Sequence, residues 1–124
     1  MSDDLLRLLF RALFATLVIE ELTACFFKER SWRFAFVVFV MNAITNPTIN
    51  AIIQTVPDSW VETAGRYYAL VLVLELWVWV TEACFLRAFL KGCSWSRAIF
   101  ISFALNMTSF LSGFVLAYVG YWDL

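Results

Sequence analysis

The chain has 124 residues, of which 63% are hydrophobic and 15% charged, with a net charge of −1 and a mean hydropathy of +0.81. A soluble domain this small carries about 45–50% apolar and about 25% charged residues, and so short a chain cannot bury the excess. Lipid must therefore be the solvent for most of it, and the near-neutral charge offers no basic field for nucleic acid.

There is no histidine, which excludes Ser-His and Cys-His nucleophile pairs and His-bearing zinc sites. The three cysteines, Cys25, Cys84 and Cys93, have no CxxC spacing. Cys25 and Cys84 fall in apolar runs, where free cysteine behaves as a small buried hydrophobe. Neither a cofactor fingerprint nor a metal motif is present, so no cofactor and no resident metal are expected.

Four segments are long enough to cross a bilayer, which takes about 20 largely apolar residues. The first, roughly 5–27, carries Glu20 and Glu21. Its start, MSDD, is acidic where a signal peptide is basic, so no cleavable signal is expected. The loop KERSWR leads to the second segment, roughly 34–56, where Asn42, Asn46 and Asn50 form a stripe at i, i+4, i+8. Pro47 removes one backbone hydrogen bond and predicts a kink near Ala43. The freed carbonyl, with Thr45 and Thr48, could satisfy itself or face a ligand. In the link PDSWVETAGR, Ser59 with Glu62 three residues on reads as a capping box, for a turn or an outward extension of the next helix.

The third segment, roughly 67–90, carries Glu75 and Glu82 two turns apart on one face. Trp77 and Trp79 read as packing rather than a cofactor platform. After the loop KGCSWSR, the fourth segment, roughly 98–120, has a small and polar stripe at Ser102, Asn106, Ser109, Gly113 and Gly120. Such residues let membrane helices approach closely.

Lys28, Arg30, Arg33, Arg87, Lys91 and Arg97 lie at the two short loops, and Arg7, Arg11 and Arg66 at the opposite side. The positive-inside rule places the loops in the cytoplasm of an inner membrane and both termini outside. Arg7, Arg11 and Arg87 can snorkel to the interface, or Arg87 can pair with a glutamate of the first segment. Trp60, Tyr67, Tyr68, Tyr118, Tyr121 and Trp122 would form an outer aromatic belt, with Trp32 and Trp95 marking the inner boundary.

TACFF at 23–27 matches EACFL at 82–86, and SWRFAF at 31–36 resembles SWSRAIF at 94–100. The expected fold is therefore all-α, an integral membrane four-helix bundle in one domain over 1–124, built from two parallel-oriented helical-hairpin repeats (about 5–56 and 67–122). Glu20, Asn42, Glu82 and Asn106 each fall seven or eight residues from the loop end of their segment. At 1.5 Å per residue they share a layer about 10–12 Å deep. Glu75, with Asn46, Asn50 or Ser112, belongs about 10 Å further out. Of the adjacent pair Glu20 and Glu21 only one can face inward, since neighbours on a helix point about 100° apart.

The run of an intramembrane Glu, a short basic loop and then Asn42, Thr45, Asn46, Pro47 and Asn50 resembles small bacterial polytopic membrane proteins with an N-x-x-T-N-P-x-x-N helix. The resemblance covers the first half of the chain, implies a polytopic inner-membrane protein and carries no activity.

Ionisable groups at this depth are functional by default. The expected function is a transporter or channel in which Glu20 or Glu21, Asn42, Asn46, Asn50, Glu75, Glu82 and Asn106 bind a proton, a small cation or a cationic substrate. Four helices make a thin wall, so a homodimer or a membrane partner subunit is expected. A non-catalytic partner or assembly role is the alternative. A lipid-modifying enzyme is a third reading, weakened by the lack of an activated nucleophile.

Overall fold

The computed structural model describes residues 3–121, so Trp122 of the expected outer belt lies outside the described residues. Four helices follow one another: α1 Asp3–Ala24, α2 Trp32–Thr55, α3 Ala64–Phe89 and α4 Trp95–Tyr118, with one 3-10 turn at Asp58–Trp60 before α3. No strand occurs among the described residues. The expected helical bundle is what the chain forms.

Local chemistry sets the helix starts. The N–H groups of Phe34, Arg66 and Arg97 donate to the hydroxyls of Ser31, Thr63 and Ser94, satisfying donors that a first turn leaves open. Helices α2, α3 and α4 thus begin two or three residues ahead of the apolar runs at 34, 67 and 98. The Ser59 capping box does not form, because Ser59 lies inside the 3-10 turn and the cap falls to Thr63. Glu62 instead faces Arg66 at 3.8 Å, and the Arg66 guanidinium donates to the Ser59 carbonyl at 3.0 Å. At the opposite end Gly92, with φ of 75°, makes the left-handed turn that lets α3 fold back as α4.

Helices α2, α3 and α4 are long and apolar enough to cross a membrane, with hydropathies of 1.6, 2.0 and 1.8 over their best windows. Helix α1 is 22 residues long but falls short in composition, carrying Asp3, Asp4, Arg7, Arg11, Glu20 and Glu21. It nevertheless lies in register with its neighbours. Asn42 donates to Glu20, Asn46 donates to Thr16, and the Tyr121 hydroxyl donates to the Arg11 carbonyl at the far end.

Helix α1 packs chiefly on α2, and α3 on α4, and these hairpins join through α1–α4 and α2–α3 contacts. Both short loops sit at one end, where Arg97 makes a two-pronged pair with Glu29 (2.5 and 3.0 Å) and Arg33 Nε donates to the Phe89 carbonyl at 2.8 Å. Next to them lies an apolar core of Phe34, Val38, Met41, Leu86, Ile101 and Leu105, and Phe27 meets Phe34 and Phe100 edge-on. The pattern is inverted relative to a soluble protein. Glu20, Asn42, Thr45, Glu82 and Ser102 are at most 1% exposed, whereas Phe10 and Phe14 are 65% exposed.

Several side chains sit differently from their sequence reading. Cys25 and Cys84 face outward and the loop residue Cys93 is buried, because outward positions here are apolar and burial tendency no longer sorts residues. Arg87 joins no glutamate; its guanidinium lies 5.8 Å from the Trp95 ring centre. Trp79 packs as expected, donating to the Ile99 carbonyl at 3.0 Å and resting on Phe103. Gly120, at φ 78°, lies just past the end of α4, in a left-handed turn.

Hydrogen bonding to Arg97 holds the Glu29 carboxyl below its ordinary range. Its stabilisation is therefore present above the unfolded value, about 4.3, and is lost as pH falls through the folded one. Glu29→Gln is expected to cost about 1 kcal/mol at pH 7. The gap from wild type should close on acidification. Unfolding in micelles across pH checks this, and a gap that widens in acid would contradict it.

Candidate functional site

The asparagine stripe turns inward as a unit. Asn42 Nδ2 donates to Glu20 Oε2 at 2.6 Å and to the Val38 carbonyl at 2.9 Å. On the other hairpin Asn106 Nδ2 donates to Glu82 Oε2 at 2.8 Å and to the Ser102 carbonyl at 2.8 Å. Each amide thus spans its own preceding turn and the carboxyl of the helix before it. The TACFF–EACFL match would set Glu82 over Thr23, whereas the bonding sets it over Glu20, about one helical turn away.

Thr45 ties the two pairs together. Its hydroxyl lies 2.9 Å from both the Met41 carbonyl and Glu82 Oε1. One hydroxyl has one proton, so both contacts are hydrogen bonds only when Glu82 carries a proton and donates it. With Glu82 ionised, the same hydroxyl can rotate and donate to the carboxylate. The site accommodates either state without moving a heavy atom.

Above this floor is a cavity of about 450 Å³ that extends away from the basic loops as far as Tyr67, Phe114 and Ala117. Glu20, Asn42, Asn46, Asn50, Glu75, Glu82 and Asn106 all line it, so seven of the eight residues singled out from sequence meet in one space. Asn50 Nδ2 reaches back to Asn46, and Asn46 Nδ2 donates to Thr16 at 2.8 Å. Glu75 lies in the outer layer with no hydrogen-bond partner among the described residues. Its helix mate Glu82 lies in the floor. No lysine or arginine is among the lining residues, and the volume suits a small solute or about 15 waters at about 30 Å³ each.

Glu21 stays outside. It is partly buried on another face of α1, near Arg30 and Trp32, and its Oε1 is shielded from solvent without a hydrogen-bond partner among the described residues. The neighbours 20 and 21 are thus divided as helical geometry requires. Around Pro47 the helix continues unbroken, and the flanking hydroxyls of Thr45 and Thr48 bond the Met41 and Ile44 carbonyls rather than that of Ala43. Gly113, expected at a close helix contact, has open space where a Cβ would be and lines the cavity instead. Ser102 does mark a close approach, its hydroxyl donating to the Trp79 carbonyl at 2.7 Å. Sequence reasoning missed Thr16, whose signal was its place four residues before Glu20 on the same helix face. Ser112 does not line the cavity, whereas Ser109 does.

No family model matches this chain, and comparison with curated proteins and with solved structures likewise gave no match.

The donors of the floor retain backbone carbonyls when the acids are changed, whereas the carboxyls depend on the amides. Glu20→Gln and Glu82→Gln are therefore expected to shift stability by less than about 1 kcal/mol, in line with hydrogen bonds inside membrane bundles. Asn42→Leu, which strips Glu20 of its amide, is expected to cost about 1–3 kcal/mol. Reversible unfolding in mixed micelles gives the order; Gln variants less stable than Asn42→Leu would reverse it.

Proposed function

We propose that this chain is a small multi-pass membrane transporter or channel whose acid-and-amide cavity binds a proton, a small cation or a cationic solute. The carrying observation is the cavity itself: two carboxyls bonded at its floor, a third above them with no hydrogen-bond partner among the described residues, and no lysine or arginine in its lining. Carboxyl, amide and hydroxyl oxygens suit hard cations. The two proton arrangements open to Thr45 and Glu82 suit a group that takes up and releases a proton.

In this reading all four helices cross the inner membrane, with α1 sheltering Glu20 inside the bundle and placing Arg7 and Arg11 toward the outer surface. The basic loops are cytoplasmic, both termini are outside, and the cavity faces outward. The apolar core beneath it closes the path. Passage then requires the hairpins to rock apart at the loop end, as repeats do in alternating access. The contacts to be broken are Arg97–Glu29 and Arg33 to the Phe89 carbonyl, which join one hairpin to the other. A homodimer would thicken the wall around so small a bundle.

The test begins with binding. A cation present at about 100 times its Kd is expected to raise wild-type stability by about 2.7 kcal/mol. Glu20→Gln/Glu82→Gln should lose that gain, and in vesicles the same variant should lose uptake. Gly113→Leu, which fills open space in the cavity, should block uptake with both acids intact. Uptake unchanged in the double Gln variant would sink the transport reading.

A second reading, a subunit that docks on another membrane protein, draws on Glu21, whose shielded oxygen, on a face away from the cavity, has no hydrogen-bond partner among the described residues. On that reading Glu21→Gln disrupts co-purification of the partner and leaves cation stabilisation intact. A clean, stable oligomer of this chain alone, unaffected by Glu21→Gln, counts against it.

A further inference from the structure

The end of the bundle opposite the cavity has a site of its own. A cleft of about 560 Å³ lies between the two short loops, and both hairpins contribute its cations. Lys28 and Arg33 come from one hairpin, Lys91 and Arg97 from the other, against the single carboxylate of Glu29. Arg97 is already engaged by Glu29 through two bonds. Arg33 is anchored through Nε alone to the Phe89 carbonyl, which orients its terminal nitrogens without occupying them among the described residues. Lys28 and Lys91 are exposed and form no ion pair among the described residues.

An excess of cations held around a shared cleft, rather than spread over a surface, is poorly explained by membrane orientation alone. Basic residues that merely set topology need no common pocket and no fixed guanidinium. Arginine geometry matches phosphate oxygens, and lysines add positive charge beside them. Basic pockets between membrane helices bind the head groups of anionic lipids. The exposed rings of Trp32 and Trp95 at the same end of the bundle are of the kind that sits at head-group level.

We infer that the cleft between the loops binds the phosphate of an anionic phospholipid head group, which bridges Lys28 and Arg33 of one hairpin to Lys91 of the other. A ligand so placed holds the two loops together at the closed end. This site is independent of the cation reading of the cavity.

The test uses the full chain in zwitterionic phosphatidylcholine bicelles, titrated separately with phosphatidylglycerol and with inorganic phosphate. Thermal midpoint and retained lipid by native mass spectrometry are followed. Phosphatidylglycerol is expected to raise the midpoint saturably, with one lipid retained per chain. Lys28→Gln/Lys91→Gln should need about tenfold more lipid or greater for the same effect. The charge-matched control Arg30→Gln/Arg87→Gln, which changes the same end outside the cleft, should respond like wild type. Equal losses in the two double variants would reduce the effect to surface charge and overturn the site. Protection by inorganic phosphate at the same concentrations would overturn the lipid assignment. No response of wild type to either would overturn both.

Discussion

A carboxyl group buried between the helices of a lipid-facing bundle must find its hydrogen-bond donors on neighbouring helices. Glu20 finds Asn42, and Glu82 finds Asn106 and Thr45. Much of the architecture depends on these bonds. They set how far α1 slides along α2 and how far α3 slides along α4, and through Thr45 they fix one hairpin against the other. Apolar packing alone would do this poorly, because lipid tails compete with leucine and phenylalanine on equal terms.

The same layer divides the molecule. On the loop side, large apolar side chains fill the interior. On the other side, small and polar residues such as Ala12, Thr16, Ser109 and Gly113 leave space that the acids and amides line. The lining of this space holds carboxyls and no lysine or arginine, while the opposite end gathers cations around a cleft of its own. The acids and the cations thus gather at opposite ends, separated by the apolar core.

Much of the site was legible because helical periodicity is a local property. Asn42, Asn46 and Asn50 share a face whatever surrounds them, and Glu75 and Glu82 likewise. Counting residues from each basic loop placed Glu20, Asn42, Glu82 and Asn106 at one depth, and rise per residue does not depend on packing. The less legible features were those settled between helices or by caps. Thr63 displaced Ser59 as a cap because the chain turned through a 3-10 helix first. Gly113 looked like a contact residue and proved to be cavity wall, and Cys93 rather than Cys25 or Cys84 was buried. Burial tendencies learned from water-soluble interiors do not carry over where the outside is the most apolar surface.

By itself the sequence determined that the chain is helical, that it belongs in a membrane, where its segments lie, and which polar side chains share a helix face. Composition and a 3.6-residue period suffice for that, since both act within single segments. Only the tertiary structure decided that Glu20 and not Glu21 enters the interior, which donor meets which carboxyl, and that one end packs apolar side chains while the other holds the cavity. Those outcomes depend on the rotation and sliding of one helix against another. These are set by side-chain volumes and hydrogen bonds between residues some 20 to 40 positions apart, which no local pattern encodes.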